Sequence, residues 1–173
     1  MRIGVIGYSG DVGTSPMDSL FGLCENLGEE IAKRGHVLVN GGRDGVMEAV
    51  SRGATKFGGT VVGILPKSDA GNGYLTVAVD TGMDFSMRSI LMMYNVDVVI
   101  SIGGKVGTGL ELFAAYAQSK PVILLRGTGG WTDRIASVLL EGKYIDDRKL
   151  VEIKSVWSVE EALETVEALE TKR

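Results

Sequence analysis

The sequence predicts a doubly wound α/β fold, a mostly parallel sheet of about six to seven strands with helices on both faces. Two observations carry this. Short apolar, β-branched runs of the kind that fill buried parallel strands alternate with segments of helical periodicity. Several of those runs also break directly into glycine-rich turns: after Ile3–Gly7, after Val37–Asn40 and after Asp97–Ile102. Strand, turn and helix in this rhythm build parallel βαβ units with right-handed crossovers. No internal repeat or linker interrupts it, so residues 1–173 read as one domain.

Taken in order, Ile3–Gly7 is a buried strand, and Tyr8-Ser9-Gly10 opens the loop after it. A helix over Met17–Arg34 places Leu20, Leu23, Leu27 and Ile31 at three- and four-residue spacing and stops at Gly35. Val37–Asn40 is the second strand. The helix over Gly45–Lys56 has Asp44 as its candidate N-cap. Thr60–Leu65 is a third strand, closed by Pro66, and Leu75–Asp80 a fourth. Asp84–Asn95 reads as a helix turning Met87, Ile90, Leu91 and Tyr94 inward. After the strand Asp97–Ile102, a helix is expected over Gly109–Ser119, followed by a strand over Pro121–Leu125. Thr132 can cap a helix reaching Leu140, Leu150–Ile153 is a candidate edge strand, and Ser158-Val159-Glu160-Glu161 is a capping box before a last helix that frays from Glu170 to Arg173.

Composition narrows the function. A formal charge of −4, with basic residues scattered singly, lacks the basic stripe that grips nucleic acid. The single cysteine, Cys24, lies on an apolar helix face as a buried small hydrophobe, and a chain with one cysteine suits a reducing cytoplasm. Met1 leads straight into a strand, which predicts no signal peptide, and no apolar run reaches membrane-spanning length, so no membrane partner is expected. No His, Cys or carboxylate cluster has metal-ligand spacing, and His36, after the helix-ending Gly35, reads as structural.

The stretch Asp97–Glu111 carries the chemistry. Its order of strand, glycine-rich turn and helix start aims free N–H groups and the positive end of a helix dipole at one point, a seat for an anion such as phosphate. In an open α/β sheet, turns at one edge line one crevice. Three turns qualify: Gly7-Tyr8-Ser9-Gly10, Gly41-Gly42-Arg43-Asp44-Gly45, and Gly103 to Gly109. The ligand residues expected there are Gly7, Tyr8, Ser9, Gly10, Gly41, Gly42, Gly45, Gly103, Gly104, Gly107, Thr108 and Gly109, with Ser9 and Thr108 adding hydroxyls. The dinucleotide signature is absent after the first strand, and strand two ends in Asn40 rather than an acidic residue. The P-loop pattern fails too, because Val106 follows Gly104-Lys105. Two readings of Glu111 stay open: Thr108-Gly109-Leu110-Glu111 is itself a capping box, so the carboxylate either ties down a helix or serves the site. Arg88, taken alone, reads as a solvated helix residue rather than a site residue.

Gly104-Lys105-Val106-Gly107-Thr108-Gly109-Leu110-Glu111 resembles the P-G-G-x-G-T-x-x-E motif of the Lonely Guy (LOG) family, also labelled "lysine decarboxylase-like", within a wider Rossmann-like nucleotide-binding superfamily. Arg88 stands nine residues before Asp97, the spacing that family shows after its M-x-x-R-K motif. Gly41 to Met47 resembles its G-G-x-x-G-L-M turn, and the similarity covers roughly residues 1–140. The match is closer to an uncharacterised branch than to the plant enzymes. Departures are Gly103 for the leading proline, Lys105 for the second glycine, and Ser89 for the lysine after the arginine.

The resemblance implies a nucleoside 5'-monophosphate phosphoribohydrolase, which cleaves the N-glycosidic bond to release base and ribose 5-phosphate. Its arginine and glutamate fall on Arg88 and Glu111 as catalytic residues. It implies a homodimer or homotetramer, a phosphorylated small molecule as partner, and no cofactor; no lysine stands out as a pyridoxal phosphate anchor. A cousin of that branch carries the molybdenum cofactor, which leaves a second reading: a carrier or sensor that holds a nucleotide or a phosphorylated pterin unchanged.

Overall fold

The computed structural model describes residues 1–171. Seven strands form one parallel sheet: β1 (Arg2–Gly7), β2 (Val37–Asn40), β3 (Val61–Leu65), β4 (Val77–Asp80), β5 (Val98–Ile102), β6 (Val122–Leu125) and β7 (Ile153–Val156). They lie in the order β4-β3-β2-β1-β5-β6-β7. This is a Rossmann-like α/β fold. The chain runs outward from β1 to β4, then returns to place β5 against the other side of β1, in register Ile3↔Val98 through Gly7↔Ile102. Strand order therefore reverses between β1 and β5, and in such sheets the crevice for a ligand opens beyond the carboxyl ends at that reversal.

Among the described residues six helices cover the sheet: α1 (Met17–Lys33), α2 (Val46–Lys56), α3 (Phe85–Tyr94), α4 (Val106–Ala117), α5 (Gly130–Ala136) and α6 (Val159–Glu170). Alternation along the strands divides the core in two. Ile3, Val5, Val98, Ile100 and Ile102 pack under α1, α2 and α6; Ile6, Val99, Val122 and Leu124 pack under α3, α4 and α5. β5 is buried throughout, as a central parallel strand covered on both faces must be.

Several boundaries differ from expectation, for local reasons. α2 is capped by Gly45, at φ 65°, and Asp44 makes no side-chain cap. α4 begins at Val106 rather than Gly109, after Lys105, so Thr108 lies within its first turn and the capping box expected there does not form. α5 starts at Gly130, after Gly129, and ends at Ala136; Thr132 lies buried inside it instead of capping it. The last strand is Ile153–Val156, not Leu150–Ile153. Ser158 does cap α6, its Oγ accepting from the Glu161 N–H, while Glu161 reaches back to the Trp157 N–H. The expected fraying beyond Thr171 lies outside the described residues.

α3 carries the largest correction. Its buried residues are Arg88, Ser89, Met92 and Met93, whereas Met87 and Tyr94, expected inward, are 53% and 64% exposed. Two inward positions are polar, so an apolar pattern points to the wrong side. Arg88 and Ser89 face inward because they border a cavity.

Candidate functional site

β1, β2 and β5 end in the three glycine-bearing turns, and hydrogen bonds tie those turns together. The Val46 N–H, at the start of α2, donates to the Tyr8 carbonyl (2.9 Å). The Thr108 hydroxyl, in the first turn of α4, donates to the Gly7 carbonyl (3.0 Å). Asn40 is fully buried and shapes its own turn: its Oδ1 accepts from the Gly42 N–H (2.7 Å) while its Nδ2 donates to the Ser51 hydroxyl (2.9 Å). Beyond β5, the Gly103 N–H donates to the Thr128 hydroxyl (2.8 Å), and the Gly103 carbonyl accepts from the Thr132 hydroxyl (2.8 Å). Gly103 has φ 59°, a left-handed turn that a side chain would strain.

Between these turns and α3 lies a cavity of about 160 Å³ at the carboxyl ends of β1 and β2. Asp84 starts α3 by accepting from the Ser86 and Met87 N–H groups (2.8 and 2.9 Å), which sets the helix so that Arg88 and Ser89 line the cavity. α4 brings Glu111 and, in its first turn, Gly107 and Thr108. Free N–H groups at a helix start favour negative charge there.

Arg88 is 5% exposed, its Nε is buried without a partner, and among the described residues its guanidinium makes no hydrogen bond or ion pair. Burial pulls its pKa below the ordinary guanidinium range and Glu111 partly restores it; a guanidinium in a protein stays charged. A buried cation without acceptors is costly unless something supplies them. Glu111 is 8% exposed and accepts one hydrogen bond at Oε1, from the Ser89 hydroxyl (2.8 Å). Burial pushes its pKa up to about 7, against the opposing pull of Ser89 and Arg88. A buried carboxyl with a raised pKa and an unpaired guanidinium in one cleft make this a candidate site.

Of the residues expected to meet a ligand, Gly7, Ser9, Gly41, Gly107, Thr108, Arg88 and Glu111 line this cavity. Tyr8, Gly10, Gly42, Gly45, Gly103, Gly104 and Gly109 do not. Most of these serve packing: a Cβ on Gly42 would stand 2.4 Å from the Leu65 side chain, on Gly45 2.3 Å from the Tyr8 carbonyl, and on Gly103 2.0 Å from the Tyr8 ring. On Gly104 it would stand 2.1 Å from the Thr108 hydroxyl, and on Gly109 3.1 Å from the Trp131 ring, whereas Gly10 faces open space. The cavity adds Arg43, Met47, Phe85, Ser89 and Met92, none of which was expected to meet a ligand. Arg43 is paired with Asp69 (2.8 Å) and lies over the Phe85 ring, 4.9 Å from its centroid. Its place inside the second glycine turn was the one signal available.

A model of the SLOG cluster4 family matches residues 1–162. Among curated proteins, one of Archaeoglobus fulgidus named only as uncharacterised is 39% identical over 127 residues, 73% of this chain and 80% of that one. A cytokinin riboside 5'-monophosphate phosphoribohydrolase of Rhodococcoides fascians is 36% identical over 115 residues, 60% of this chain and 58% of that one. An X-ray structure of a structural-genomics target superimposes with a TM-score of 0.96 at 58% identity, over 96% of this chain and 98% of that one. The molybdenum cofactor binding protein of Rippkaea orientalis superimposes with a TM-score of 0.80 at 30% identity, over 97% and 96%. No helix among the described residues is long and apolar enough to cross a membrane.

Proposed function

The chain belongs to the SLOG cluster4 family, and on that footing we propose that its cavity binds a nucleoside 5'-monophosphate and hydrolyses its N-glycosidic bond, releasing base and ribose 5-phosphate. The observation that carries this reading is the pair Arg88 and Glu111, one an unpartnered buried cation and the other a buried carboxyl held above its ordinary range, in one cleft at the strand-order reversal. The phosphate lies against the first turn of α4, where Gly107 and Thr108 line the cleft, and Arg88 supplies the counter-charge. Glu111 acts on the glycosidic bond, whose cleavage passes through an oxocarbenium-like state. Ser9 and Gly41 complete the lining. The similarity to the Rhodococcoides fascians phosphoribohydrolase supports the same chemistry.

The reading extends to a homodimer or homotetramer in a reducing cytoplasm. Exposed Phe85, Met87, Tyr94 and Val106 on α3 and α4 support association through that side, and buried Cys24, its thiol pushed up to about 12, supports a structural cysteine.

Incubation with AMP, followed by chromatography of free adenine, tests the reading. We expect adenine and ribose 5-phosphate in equal amounts, with release abolished in Glu111→Ala. The 30% identity to the Rippkaea orientalis molybdenum cofactor binding protein, over nearly the whole chain, favours a second reading as a carrier. AMP or a phosphorylated pterin bound without any base release would select the carrier and overturn the hydrolase.

A further inference from the structure

Building on the hydrolase reading, we propose that Ser89 is a positioning residue that presents Glu111 to the ligand as a carboxylic acid, the source of the proton taken by the departing base. Ser89 is 6% exposed and follows Arg88 on α3, and its hydroxyl donates to Glu111 Oε1 at 2.8 Å. That bond is the one partner of the carboxyl among the described residues, so it fixes one oxygen and leaves Oε2 without a protein donor.

The donor's chemistry matters as much as its place. Ser89 stands where the motif this chain resembles has lysine. An ammonium there would hold the carboxylate ionised, whereas a hydroxyl anchors it without supplying charge. Other charges are few. From α3 only Arg88 faces Glu111, without forming an ion pair; Arg43 and Asp69, paired with each other on the loops after β2 and β3, act electrostatically on Arg88. The turn after β1 and the first turn of α4 bring no charged side chain; Lys105, which precedes α4, is exposed. Burial outweighs the opposing pull of the Ser89 hydroxyl and of Arg88 and pushes the Glu111 pKa up to about 7.

The step balances. Glu111 gives its proton to a ring nitrogen of the base, and the C1'–N bonding pair leaves with that base. Water then adds to C1', and its proton returns to the Glu111 carboxylate, closing the cycle.

The test is a carbon-13 NMR titration of ligand-free protein labelled at glutamate Cδ, with the Glu111 resonance assigned by its loss in Glu111→Gln. We expect a midpoint near neutrality in the wild type and unchanged in Ser89→Thr, which keeps the hydroxyl. The midpoint should rise in Ser89→Ala, and fall by roughly one to three pH units in Ser89→Lys, where a cation joins the carboxylate. The alanine and threonine variants decide the matter even where the lysine variant does not fold. In AMP hydrolysis the basic limb of kcat should follow the same midpoints. A wild-type midpoint in the ordinary carboxylate range, or one indifferent to Ser89→Ala, overturns the proposal. A midpoint that follows Ser89 in a protein releasing no adenine leaves the positioning of Glu111 standing and overturns the hydrolase reading instead.

Discussion

The Arg88 Nη1 atom lies 2.0 Å from the point where a β-carbon on Gly41 would stand, so the guanidinium fills the space that the glycine leaves. Gly41 thus serves the cavity by admitting Arg88 beside the turn after β2. A methyl there would also approach Met47 Sδ at 2.7 Å. Both neighbours are ends of flexible side chains, and they yield rather than the backbone. Gly41→Ala should therefore weaken AMP binding about tenfold, roughly 1.4 kcal/mol, while leaving the melting temperature nearly unchanged. Calorimetric titration and a thermal melt on the same preparation check the two halves.

The raised Glu111 pKa predicts a stability cost with a definite pH window. Folded, the carboxyl titrates near 7 against an ordinary 4.5, so the folded state binds its proton more tightly. Its contribution is full below the unfolded value and disappears as pH rises through the folded one. Glu111→Gln, which cannot ionise, should be more stable than wild type at pH 8, by as much as about 3 kcal/mol. The difference should fade toward pH 5. Urea midpoints of both proteins at the two pH values check this; an equal offset at both would contradict it.

The crossing of α1 and α2 depends on glycine. A β-carbon on Gly28 would stand 1.9 Å from the Val50 carbonyl, and one on Gly53 1.9 Å from the Glu25 carbonyl. Here the neighbours are backbone, which cannot give way without separating the helices. Gly28→Ala should destabilise by about 3 kcal/mol. Gly22→Ala, on the same helix with nothing within 4 Å, should stabilise by about 0.5–1 kcal/mol. Denaturant unfolding of the pair separates packing from propensity.

These relationships explain what was legible in the chain and what was not. β1, β2, β3, β5 and β6 fall within one residue of expectation, because a buried parallel strand needs an uninterrupted apolar run and most end at glycine or proline. β7, a four-residue edge strand reading Ile153-Lys154-Ser155-Val156, has only a short alternation to mark it. The inward face of α3 was hidden because Arg88 and Ser89 sit where an apolar pattern expects hydrophobes. Within the site, Arg88 and Glu111 were identifiable by family spacing, and the cavity brings them together. The glycine turns mix lining residues with packing residues, a division that depends on distant partners such as Leu65 and Trp131. Thr128 and Thr132, which hold Gly103 in place, come from beyond β6 and have no local signature.

In the proposed site the unpartnered Arg88 guanidinium receives the phosphate of a nucleotide. Isothermal titration of wild type and Arg88→Ala with AMP and with adenosine tests it most directly. AMP should bind the wild type far more tightly than adenosine does. Arg88→Ala should lose about a hundredfold in AMP affinity, near 2.7 kcal/mol, with adenosine hardly affected. Equal affinity of the wild type for AMP and adenosine, or undiminished AMP binding by the variant, would contradict it.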